Sequence, residues 1–174
     1  LKEKCAAIIK EAEILSENYI KAEQEVTELL KLENISMMVP LQRFLHNPVN
    51  ELIKDLWGPL FDLLKGRIDQ EFFERKGTRN VEITSRGLVR LGYAKWVALS
   101  LVKLLAPDKL YDMTPPESVL SGHGSPKHVE KPVPTPEETK NLSFDYGPNL
   151  FPPFITPNVI LHSTKLNRYV SIRS

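Results

Sequence analysis

The sequence predicts a mainly α chain: an N-terminal coiled-coil helix, then a helical hairpin or small bundle, then a Pro-rich extended C-terminal tail with short β-like runs. Three observations predict it. Residues 1–30 carry an apolar repeat of alternating four and three without a proline or glycine. Residues 48–105 hold two further runs of helical period, with prolines confined to positions 48 and 59. Of the 14 prolines, 11 lie at or after Pro107. A ring-locked φ and a missing N–H at that density are incompatible with a helical continuation. The corresponding divisions are 1–36, 40–113 and 114–174.

In the first segment Leu1, Cys5, Ile8, Ala12, Leu15, Tyr19, Ala22, Val26 and Leu29 form an a/d seam of about four heptads. The positions flanking the seam do not pair charges as a parallel homodimer would require, since Glu11 would face Ser16 and Glu25 would face Leu30. An antiparallel or heteromeric coiled-coil partner fits better, and the alternative is packing on helices of the same chain. Cys5 sits in the seam as a small apolar residue rather than a nucleophile.

Pro40 restarts the chain after the seam fails at Glu33. Asn47-Pro48 is a helix start, a capping side chain followed by a proline at the first helical position. Val49, Leu52, Ile53, Leu56, Trp57, Leu60, Phe61, Leu64, Ile68 and Phe72 then read as one apolar face. Pro59 is expected to kink or split this helix, and Gly77 to cap it. Val81 to Ile83 reads as an extended connector, and Thr84 or Ser85 as the start of a second helix stopped by Pro107. That second helix is apolar almost all round from Trp96 onward, more than one neighbour can cover. Arg90, Lys95 and Lys103 interrupt it, so it is not a membrane span.

Beyond Met113, the run Pro132 to Pro136 favours polyproline II. Phe144, Tyr146, Phe151 and Phe154 give the tail adhesive side chains. Val159–Leu161 and Tyr169–Ile172 either pair as a hairpin or add to a partner's sheet edge.

The chemistry-bearing residue types form no catalytic set. No glycine spacing matches a phosphate loop, and His123 and His128 lie in a Gly/Ser/Pro stretch without companion ligands. No cofactor and no metal site are expected, and the chain reads as non-enzymatic. A formal net charge of +1 provides no global attraction to nucleic acid. The local cluster Arg75, Lys76, Arg79, Arg86 and Arg90 is the one candidate for phosphate binding. The leading expectation is a scaffold or adaptor subunit of a multiprotein complex, cytoplasmic and associated with the cytoskeleton. Its contacts with other protein subunits would run through Leu15, Tyr19 and Val26 in the seam, Trp96 in the body, and the four tail aromatics. The runner-up is a nucleic-acid-binding helical module using the basic cluster.

Overall fold

The computed structural model describes residues 2–112, 137–144 and 159–172. These residues are mainly helical: α1 (Lys2–Leu30), α2 (Val39–His46), α3 (Pro48–Leu64) and α4 (Gln70–Leu105). Six short strands accompany them: β1 (Asn34–Ser36), β2 (Pro107–Asp112), β3 (Glu137–Glu138), β4 (Asn141–Ser143), β5 (Val159–Ser163) and β6 (Arg168–Ile172).

Helix α1 ends where Lys31 turns into the left-handed region at φ 51°, and Leu32 N–H returns to the Thr27 carbonyl at 3.0 Å. Helix α3 starts as its sequence indicates, with Pro48 in the first turn and the Asn47 side chain accepting from Asn50 N–H at 3.1 Å. It runs unbroken through Gly58-Pro59, with Pro59 on the buried side.

The largest departure from the sequence reading is α4. The turn expected near Gly77 lies instead at 65–69, where Gly66 adopts φ 67° and Asp69 Oδ1 caps the new helix by accepting from Phe72 N–H at 2.7 Å. Gly77, the expected connector Val81–Ile83 and the expected starts Thr84 and Ser85 all lie inside one 36-residue helix. A mid-helix glycine costs only about 1 kcal/mol. Burial of Val81, Ser85 and Leu88 beyond it, with Asn80 Nδ2 donating to the Asp55 carbonyl, outweighs that local cost.

Two matched levels show that α1 and α4 lie side by side in parallel: Leu15 meets Gly92, and Glu25 pairs with Lys103 at 2.6 Å ten or eleven residues further on. Helix α3 runs antiparallel to α4, since Asp55 meets Asn80 while Asp62 meets Lys76. The seam residues Ala12, Leu15, Tyr19, Ala22 and Val26 belong to the same buried core as Leu88, Ala98, Leu99 and Val102 of α4 and Leu41, Phe44 and Leu45 of α2. Of the two occupants left open for the seam, the chain's own helices fill it. Ser16 Oγ fastens α2 by donating to the Leu45 carbonyl at 2.5 Å.

The strands close the C-terminal end of this bundle. A four-stranded antiparallel sheet has the order β3-β2-β5-β6, and β1 pairs with β4 in parallel. The two β-like runs near the C-terminus do pair as a hairpin, Leu161 opposite Val170. Leu110, Leu161 and Ile172 point inward, and Ser163 Oγ donates to the Leu105 carbonyl at 2.6 Å, satisfying one of the orphan acceptors at the end of α4. No helix among the described residues is long and apolar enough to cross a membrane.

Candidate interaction surface

Helix α3 has more apolar residues than its inner side can use. Leu52 and Pro59 are buried and Leu56 is partly so, which defines the face turned to α1 and α4. At about 100° per residue, Ile53, Trp57, Phe61 and Leu64 fall within about 80° of one another on an outer side centred about 130° from the buried residues. All four are exposed, Leu64 at 72% and Phe61 at 54%, and the Trp57 and Phe61 rings lie 6.2 Å apart on adjacent turns. A row of large apolar residues on the outside of a helix that already has a buried side marks an interaction site more often than a chance surface.

Helix α4 repeats the pattern in its second half. Tyr93, Val97, Leu101 and Leu104 are exposed on one face while Ala98, Leu99 and Val102 are buried on the other. The sequence expectation that one neighbour cannot cover the helix around Trp96 to Val102 is thus met in part, by Val97 and Leu101. Trp96 itself is half-buried against the core, with the Tyr93 ring edge-on at 6.1 Å.

The first half of α4 carries the basic cluster. Arg75, Arg79, Arg86 and Arg90 share one face of the helix within about 60°. Arg75 stacks over the Phe72 ring at 5.1 Å, and Arg86 pairs with Glu82 at 2.5 Å. Lys76 is turned aside to Asp62 of α3 at 3.4 Å. Arg79 and Arg90 are exposed and have no ion-pair partner among the described residues.

The other residues singled out in the sequence lie elsewhere. Leu15, Tyr19 and Val26 are at most 1% exposed and are covered by the chain's own helices. Tyr19 donates to Glu23 Oε1 at 3.2 Å, and Glu23 also meets His46 Nε2 at 3.1 Å. Burial, and then the Glu23 carboxylate, push the Tyr19 phenol far above its ordinary pKa. Phe144 is buried behind β4, where Lys95 Nζ sits 5.4 Å above its ring. Tyr146, Phe151 and Phe154 lie outside the described residues, as do His123 and His128.

Comparison with protein-family models, with curated proteins and with solved structures finds no match to any of the three. The surface has to be read on its own chemistry.

Among the described residues no three His, Cys, Asp or Glu side chains converge as metal ligands would. The nearest acid–base pair is Asp108 with His162, 2.7 Å apart across β2 and β5. The hydrogen bond from His162 holds the Asp108 carboxyl below its usual range. The adjoining hydroxyl, Ser163, is buried and already committed to the Leu105 carbonyl. The tilted Tyr169 ring, 5.0 Å from His162, completes a surface cluster on the open sheet.

The outer row of α3 was the residue set that sequence reasoning misassigned. Its members were counted with Leu52 and Leu56 as a single face. The signal lies in their number: eight of these apolar positions fall in the 17 residues of α3 and span about 180° of the wheel.

Proposed function

We propose that this chain is a non-enzymatic scaffold or adaptor subunit that joins other protein subunits through the outer faces of α3 and α4. The carrying observation is the exposed row Ile53, Trp57, Phe61 and Leu64 on a helix whose other face is buried in the chain's own core. Aromatic anchors of this kind dominate binding energy where they become fully desolvated, Trp above all. The setting proposed is a cytoplasmic assembly, with cytoskeletal complexes the first to search.

The test is the double variant Trp57→Asp/Phe61→Asp, purified by affinity from the native cell with and without nuclease. A stoichiometric protein partner should accompany the parent chain through nuclease and high salt and be lost from the variant. Helix content should not change, because both side chains point outward. Recovery of the parent chain alone, or a partner retained by the variant, would refute the proposal.

A second reading, nucleic-acid binding, is favoured by one observation, the alignment of four arginines on α4. Oligonucleotide affinity should then fall steeply with salt, because each phosphate contact releases counterions. Affinity that is weak and insensitive to salt would dismiss it.

A further inference from the structure

The outer face of α4 changes character along its length without changing direction. Arg75, Arg79, Arg86 and Arg90 dominate the first half, where Phe72 and Ile83 are also exposed, and Tyr93, Val97, Leu101 and Leu104 continue the same line within about 80° of the wheel. At about 1.5 Å per residue the line from Arg75 to Leu104 is about 44 Å long. It lies on one uninterrupted helix.

We infer that this line is the seat of a single partner helix, acidic in one half and apolar in the other, and this inference rests on the interaction reading above. Charge complementarity decides the occupant. A second copy laid parallel would set arginine against arginine, and one laid antiparallel in full register would set arginine against Val97 and Leu101. A bilayer surface takes a helix whose apolar residues run its whole length, with cations on the flanks. Here four arginines lie within the line itself rather than on its flanks, so half of the line would sit at the wrong depth. A nucleic-acid backbone would match the arginines and leave the apolar half facing phosphates. A helix bearing Asp or Glu every three or four residues opposite Arg79 and Arg90, followed by Leu-type residues opposite Val97 and Leu101, satisfies both halves at once. Such a helix would lie along α4 in the manner of packed helical neighbours. The exposed guanidiniums would set its direction and register, and the apolar half would hold it. Arg79 and Arg90 carry the electrostatic part, since Arg86 is already paired with Glu82 and Arg75 lies over Phe72.

The experiment is site-specific photo-crosslinking of the whole chain in its native cell. The photoreactive residue p-benzoylphenylalanine replaces Phe61, Arg79 or Val97, one at a time, and mass spectrometry locates each adduct. Arg79 and Val97 should both crosslink to one segment of one protein, the first adduct in its Asp/Glu-rich half and the second in its apolar half. The two adducts should lie about 18 residues apart, the separation of the probes, as two aligned helices require. With that segment as a peptide, Arg79→Glu/Arg90→Glu should weaken binding at least tenfold, and reversing the two facing acids to lysine should restore it. Adducts on a second copy, on this chain's own residues, on nucleic acid, on lipid, or on unrelated proteins overturn the inference. So does the absence of adducts at Arg79 and Val97. Adducts at Phe61 alone would leave the interaction reading standing on α3 and reject the partner helix on α4. Silence at all three positions would reject both.

Discussion

Two glycines on α4 provide an internal comparison that isolates the packing of the three-helix junction. An ideal Cβ on Gly92 would lie 2.9 Å from Leu15 Cδ2 and 2.9 Å from Leu45 Cδ2, whereas one on Gly87 meets nothing within 4 Å. Both sites are helical and five residues apart, so Gly→Ala should gain about the same 0.8–1 kcal/mol of helix propensity at each. At Gly87 that gain should appear as added stability. At Gly92 the methyl must displace two leucine ends, and both leucines are at most 1% exposed, so neither can swing into solvent. Overpacking of this sort costs about 1–3 kcal/mol. The Gly92→Ala variant should therefore be less stable than Gly87→Ala by about 1–3 kcal/mol, with its absolute change between about zero and 2 kcal/mol destabilising. Urea unfolding followed by far-ultraviolet circular dichroism measures the difference directly, with an unchanged slope confirming that the unfolded state is the same. Equal stabilisation by the two substitutions would mean that Leu15 of α1 and Leu45 of α2 do not meet at Gly92. The parallel register of α1 and α4 would then be wrong.

Three further outcomes follow from buried or paired groups. Phe144→Ala should destabilise the fold by about 3–5 kcal/mol in the same urea assay, the cost of emptying a buried aromatic site, whereas a surface contact residue would change stability by less than about 0.5 kcal/mol. Tyr19 keeps its proton in the fold while the unfolded phenol ionises above about pH 10, so stability should fall as pH rises past that point. Tyr19→Phe should flatten this alkaline limb, and an unchanged limb would contradict the buried phenol. Glu25 is held below its usual pKa, first by the hydrogen bond from Lys103, so its contribution is present above about pH 4.3 and lost as pH falls through the lowered value. The acid limb should flatten in Glu25→Gln if the pair that joins α1 to α4 forms in solution.

The start of α3 was legible because its cap is local: Asn47 and Pro48 act within one turn. The end of α3 and the start of α4 were not, because two signals competed over a dozen residues. Gly66 and Gly77 can each end a helix, and Gly66 followed by Asp69 makes the turn. The difference is tertiary. With the turn at 65–69, Asp62 meets Lys76 and Asp55 meets Asn80, and Val81 and Ser85 reach the core. None of those pairings has a sequence-local signature. The heptad seam of α1 is buried from Ala12 to Val26 while Leu29 is exposed, and spacing alone cannot tell whether the surface that fills it belongs to the same chain. Here α4 fills it, and that is why Leu15, Tyr19 and Val26 are core residues.

The same ambiguity explains the interaction surface. A helix with apolar residues on two sides does not state which side is inner. For α3 the inner side is fixed by Pro59 and Leu52, which face the neighbouring helices, so Trp57 and Phe61 turn outward even though they are the larger residues. Size would have predicted the reverse, since a buried Trp contributes more than a buried Pro. Pro59 of α3 and Gly77 of α4, both small, are buried instead. The aromatics that could have enlarged the chain's own core are left exposed among the described residues, and that exposure is what the proposed interaction rests on.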